Sequence, residues 1–93
     1  MYARLVRFNL GPGNRDVVQT LADDIAPKIA SMPGCHGVHV FTDDDGQSGI
    51  FVLWDSAANA NSAAPIIRPQ LNKVIESNVQ GEVDARLFEV LSK

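Results

Sequence analysis

The stretch Pro27–Asp43, PKIASMPGCHGVHVFTD, sets a helix-ending Pro33-Gly34 directly before a short run of alternating side chains, and Ile50-Phe51-Val52-Leu53-Trp54 follows soon after. A helix, a Pro-Gly break, a hairpin and a closing Leu-Trp form the middle of a βαββαβ unit. This predicts an α+β, ferredoxin-like sandwich with both helices on one face of the sheet. Such a sheet buries one face within its own chain and leaves the other to a partner.

The hairpin decides which side chains share that buried face. Cys35–Thr42 and Ser48–Trp54 read as strands joined by Asp43-Asp44-Asp45-Gly46-Gln47. Asp-Gly favours a two-residue type I′ turn. With Asp45-Gly46 at its centre, Phe41 faces Ile50, His39 faces Val52 and Gly37 faces Trp54, so His39 and Trp54 share a wall. A loop longer or shorter by one residue reverses the parity and brings His36 there instead.

Upstream, Tyr2–Leu10 reads as a strand, with Arg4 and Arg7 interrupting opposite faces, and Gly11-Pro12-Gly13 ends it. Asn14 is the candidate N-cap of a helix reaching to about Met32. Val18, Leu21, Ile25 and Ile29 form its buried stripe, and Pro27 predicts a kink. Downstream, Asp55 or Ser56 caps a small, polar helical stretch, Ala57–Ala64, which Pro65 and Pro69 are expected to break. A second piece carrying Leu71, Val74 and Ile75 follows to about Asn78, and Val83–Leu91 is the last strand.

Ninety-three residues, 45% of them hydrophobic, make one domain over 1–93 with a modest core. The net charge of −3, with basic residues scattered, argues against a nucleic-acid surface. No apolar run is long enough to cross a membrane, and the first residues read as a strand and not a signal peptide. Cys35 is the one cysteine and has no partner for an internal disulfide, so a reducing cytoplasm is the simplest setting.

Several pieces, in order and spacing, resemble the antibiotic biosynthesis monooxygenase family of dimeric α/β barrels. They are MYARLVRF followed by Gly11-Pro12-Gly13, the spacing from Pro27 to Pro33-Gly34, Gly37, the stop Leu53-Trp54-Asp55-Ser56 and the terminal ARLFEVL at 85–91. The resemblance implies a homodimer packed sheet to sheet, with a ligand cleft between each chain's sheet and helices that Trp54 lines. Haem-degrading relatives carry an asparagine where this chain has Val6 and a histidine where it has Ala64-Pro65, so no axial ligand for haem iron is in place. Relatives that oxidise polycyclic aromatics without a cofactor use an asparagine and a tyrosine flanking the tryptophan; here those neighbourhoods hold Ile50 and Ala60. Trp54 alone transfers. The phenylalanine common after Pro-Gly is Cys35.

Each candidate has a plainer reading beside it. Trp54 is either a cleft wall or a core residue whose indole N–H meets a backbone carbonyl. His39 is either a general base beside Trp54 or a structural histidine. Arg86 either holds a substrate anion or pairs with an acid at the dimer surface. His36 and His39, three apart on a strand, point to opposite faces and make no metal pair. Asp43–Asp45 lacks the glutamate that closes a calcium loop. Cys35 lacks an evident neighbour to activate it.

Two functions follow. The first is a cofactor-independent monooxygenase for a small, planar, apolar substrate of quinol or anthrone type, with no cofactor or metal, His39 and Arg86 catalytic, and Trp54, Phe41 and Val6 binding substrate. The alternative is a non-catalytic dimeric barrel that holds a small hydrophobic metabolite or serves as an accessory domain.

Overall fold

The computed structural model describes residues 1–78, 81 and 83–92, with the backbone alone at 77 and 78. The elements are β1 (Tyr2–Asn9), α1 (Arg15–Ala30), β2 (Cys35–Thr42), β3 (Gln47–Trp54), α2 (Ala57–Asn78) and β4 (Asp84–Glu89). The strands form one antiparallel sheet in the order β2-β3-β1-β4, the ferredoxin-like arrangement.

Strand alternation divides the sheet into two unlike faces. Ile50, Val52 and Trp54 point to the helices and are buried with Phe8, Val18, Leu21, Ile25, Ile29 and Leu71. α1 supplies the expected stripe of Val18, Leu21, Ile25 and Ile29. Burying each such side chain contributes roughly 1.5–3 kcal/mol, so this stripe sets how α1 docks. Pro27 lies on the exposed side of α1, where the carbonyl it leaves unbonded faces water. Asn14 precedes α1 but does not cap it with its side chain; its Nδ2 donates to the Leu10 carbonyl.

The hairpin differs from the sequence expectation, and the difference has a local cause. Asp43 N donates to the Gln47 carbonyl at 3.0 Å and Gly46 N to the Asp43 carbonyl at 3.2 Å. Asp43 and Gln47 therefore face each other across Asp44-Asp45-Gly46, a loop of three. Gly46 has φ +85°, and no non-glycine among the described residues has positive φ, so Asp45 does not take the left-handed conformation that a type I′ turn requires. The Asp43 carboxylate accepts from the backbone N–H of Asp45 and of Gln47, each at 2.9 Å, and holds a type I turn that ends on the left-handed glycine. A side chain at Gly46 would also strike the Gly11 backbone.

This loop moves the β2–β3 pairing by one residue. Val38 faces Val52, Val40 faces Ile50, and His39 faces Phe51. The expected pairs of Phe41 with Ile50 and His39 with Val52 are replaced, and both side chains turn to the sheet face away from the helices. An irregularity between Cys35 and Gly37 then brings Cys35 opposite Trp54. Across the open face one row reads His39, Phe51, Leu5, Arg86, and the next reads Gly37, Leu53, Ala3, Phe88.

α2 also departs from expectation, running unbroken from Ala57 to Asn78 with Pro65 and Pro69 inside it. The two prolines are one turn apart and both exposed, so the bonds they omit lie on one solvent-facing side. Carbonyls there bond water, and a helix missing bonds on its outer side curves around the core without stopping. Ser56 is the cap: its Oγ accepts from the Asn59 backbone N–H at 3.1 Å. Beside it Asn59 Nδ2 donates to Asp55 Oδ1 at 2.8 Å, and this bond holds the Asp55 carboxyl below its ordinary value of 3.8. β4 is shorter than the expected Val83–Leu91, ending its ladder at Glu89. No helix among the described residues is long and apolar enough to cross a membrane.

Candidate functional site

Between the helix-facing side of the sheet and α2 lies a cavity of about 260 Å³. Its floor is Val6, Ile50, Val52, Trp54 and Ala85; α2 roofs it with Ala60, Ala64, Ile67 and Leu71, and Ile29 of α1 closes one side. The space follows from the sequence of α2. Ala60 and Ala64 are four apart on the face over Trp54, and their methyl groups do not fill the volume that Ile67 and Leu71 occupy further along. A hydrocarbon-lined cavity of about 150 Å³ accepts a benzene ring, so this one is sized for one or two fused rings, with anything larger reaching out through its mouth.

Trp54 is 1% exposed, and its Nε1–H finds no hydrogen-bond partner among the described residues. An unsatisfied buried donor costs about 1–3 kcal/mol, which makes this indole a poor candidate for a purely structural group. At the rim stand Arg4, Arg68 and Asn72. Arg4 is half-buried on β1 in the row Val38, Val52, Arg4, Leu87, the one charge among apolar neighbours. Its Nη2 donates to Asn61 Oδ1 of α2 at 3.0 Å. No Asp, Glu, His, Cys, Lys or Tyr is among the described residues lining the cavity.

The five residues expected at the site are divided by the sheet. Val6 and Trp54 line the cavity. His39, Phe41 and Arg86 stand on the opposite face, for the loop parity turned His39 and Phe41 outward, and Arg86 pairs with Leu5 on that same face. Within one chain neither His39 nor Arg86 can reach a ligand beside Trp54. Arg86 Nε instead donates to Asp84 Oδ1 at 3.1 Å, an ion pair with both side chains more than half exposed. His36 is exposed, Cys35 is half-buried with its Sγ 3.7 Å from the Gly37 carbonyl oxygen, and no cluster of metal-ligating side chains occurs among the described residues.

Sequence reasoning missed Arg4, Arg68 and Asn72, and a signal for each was present. Arg4 shares the strand parity of Val6 and Phe8 and so had to face inward with them. Arg68 and Asn72 continue the four-residue spacing from Ala60 and Ala64 along one stripe of α2.

Comparison with known proteins adds the family. The model of the antibiotic biosynthesis monooxygenase family matches residues 1–62, from β1 into the first turns of α2. No curated protein matches the chain in sequence. Among solved structures, Rv0793 from Mycobacterium tuberculosis superposes with a TM-score of 0.80 at 18% identity, covering 99% of this chain and 96% of that one. NE2512 from Nitrosomonas europaea, a protein of unknown function, gives 0.84 at 15% identity over 99% and 90%. The cofactor-independent oxygenase SnoaB from Streptomyces nogalater, as an alanine variant, gives 0.76 at 14% identity over 99% and 94%. At these identities the structural likeness is one of fold, and the match over two thirds of the sequence carries the assignment: the chain belongs to the antibiotic biosynthesis monooxygenase family.

Proposed function

We propose that the chain is a cofactor-independent monooxygenase that oxidises a small, planar, apolar substrate of quinol or anthrone type in the cavity over Trp54. The observation that carries this reading is an apolar cavity, walled by an indole whose N–H has no acceptor among the described residues, in a chain of this family. For an anthrone-type substrate the balance is simple. A ring CH₂ and O₂ become a ring carbonyl and water, one oxygen atom staying on carbon and the substrate supplying all four electrons. The protein then has to hold the substrate's carbanion or enolate form, orient the ring and keep bulk water away. Trp54, Val6 and Ile50 provide the apolar walls for the ring, and the rim guanidiniums of Arg4 and Arg68 provide positive charge for the ionised form.

One observation favours a second reading, a dimeric barrel that binds such a molecule without converting it: no side chain lining the cavity among the described residues is a general base. Oxygen uptake separates the two. Purified protein, with no cofactor added, is mixed with an anthrone and with a naphthalene diol in an oxygen-electrode cell, against the Trp54→Ala variant, shown folded by circular dichroism, as control. Uptake above the spontaneous rate that Trp54→Ala abolishes supports catalysis in this cavity. Saturable binding with uptake no faster than in buffer leaves the binding module. We further propose that the active form is a homodimer joined through the open sheet face.

A further inference from the structure

If the apolar walls choose a flat ring, the polar rim chooses what that ring carries. On the reading that this cavity takes the ligand, we infer that it is built for an anion: an aromatic molecule bearing a negatively charged oxygen, carboxylate or phenolate, which the Arg4 and Arg68 guanidiniums recognise.

The cavity's polar side chains are rich in donors and poor in acceptors. Arg4 and Arg68 each carry five N–H donors and no acceptor. The Asn72 amide is the one lining side chain with an acceptor oxygen. The hydrogen bond of Arg4 goes to Asn61 Oδ1, a neutral acceptor, and no acid among the described residues pairs with it. The chain has eleven acidic residues and a net charge of −3, yet none of the described acids lines this cavity, and the ion pair found among the described residues lies on the other sheet face. Two positive charges therefore stand at the rim of an apolar space, where they can meet an anionic group carried by a ring held inside.

Arg68 alone carries little weight, because an exposed helix arginine is ordinarily a solvated one. Arg4 is different. It occupies the inward face of a central strand, where Val38, Val52 and Leu87 are its row neighbours. Its guanidinium reaches the cavity rim, where its bond to Asn61 is open to solvent, and a ligand anion would supply the counter-charge that no described acid provides. The absence of a base from the described lining fits the same picture. Such a site selects a ligand that is already ionised, or lowers the pKa of a bound phenol by placing guanidinium charge beside it.

The test is calorimetric titration with matched naphthalene probes at low ionic strength: 2-naphthoate against neutral 2-naphthamide, and 2-naphthol below and above its own ionisation. At least one anion is expected to bind about tenfold or more tightly than its neutral counterpart, the scale of one charge-assisted hydrogen bond. Arg4→Gln and Arg68→Gln should each remove most of that preference while changing the naphthamide affinity far less, with circular dichroism showing both variants folded. Raising the salt should shrink the preference as well. Which anion gains identifies carboxylate or phenolate. Equal affinity for charged and neutral probes, or a preference that survives both substitutions, overturns the anion inference while the ring-binding cavity stands. If no probe binds at all, the cavity reading falls and this inference with it.

Discussion

Trp54 holds two opposed contributions in one side chain. Its ring fills the core, and truncation there is costly: a buried aromatic changed to alanine loses about 3–5 kcal/mol. Its indole N–H does the reverse, being buried with no acceptor among the described residues. Trp54→Phe deletes that donor and keeps most of the apolar surface, so its stability, read from urea unfolding, is expected within about 1 kcal/mol of the parent, where Trp54→Ala falls by several. A Trp54→Phe protein as unstable as Trp54→Ala would show that the indole N–H has a structural acceptor after all. At this scale Val6 and Trp54 were named together as ligand-binding from family resemblance. Arg4 was legible from parity alone, since it alternates with Val6 and Phe8 on β1. His39 was not legible, because its side of the sheet is set by a loop several residues away.

That loop is the element on which the whole site turns. Asp-Gly is compatible with two hairpins, a two-residue type I′ loop or a three-residue loop that ends on a left-handed glycine. The choice between them rests on the Asp43 carboxylate, which caps two backbone N–H groups only in the longer loop. Sequence order gave the strands and the position of the turn; the parity depended on one side-chain interaction that spacing does not reveal. The same holds for α2, where two prolines read as a break and the exposed side they share lets the helix continue. A deletion tests the hairpin argument. Removing Asp44 leaves Asp43 and Gln47 flanking Asp45-Gly46, a sequence suited to type I′, so the pair that starts the ladder is kept and His39 stays outward. The deletion is expected to cost less than about 1 kcal/mol in urea unfolding, because loop length changes closure entropy only slowly. Deleting Val40 within β2 shifts Cys35–His39 to the wrong faces, exposes Val38 and should unfold the protein. Equal damage from the two deletions would contradict the register argument.

At the scale of the molecule, the side chains that the loop turned outward form a surface of their own. Phe41, Phe51 and Phe88 are 42%, 37% and 46% exposed on the open sheet face, with Leu5 and Leu53 between them half-buried. Three partly exposed phenylalanines on one flat face exceed the scattered apolar residues of an ordinary monomer surface. Strands of eight residues side by side span roughly 26 Å by 19 Å, about 500 Å² in projection, which for a corrugated surface approaches the roughly 800 Å² per partner of a stable interface. An antiparallel sheet face pairs with a copy of itself about a two-fold axis, where every residue is used twice. His39 and Arg86, absent from the cavity, thus acquire a place in the homodimer proposed here, on the rows that would meet the second chain. Light scattering coupled to size exclusion should give twice the chain mass of 10.0 kDa. Phe51→Asp replaces an apolar ring with a charge at the centre of the patch on both copies, and desolvating the two carboxylates costs more than the neighbouring His39 returns. It should yield monomer at micromolar concentration. Asp at Arg68, on the helix side, should leave the dimer intact. Because the cavity lies on the opposite side of the sheet, monomeric Phe51→Asp that remains folded should still bind its ring ligand, with weakened affinity if the second sheet holds the first in shape. A parent protein that runs as a monomer under the same conditions would leave the open face to some other partner.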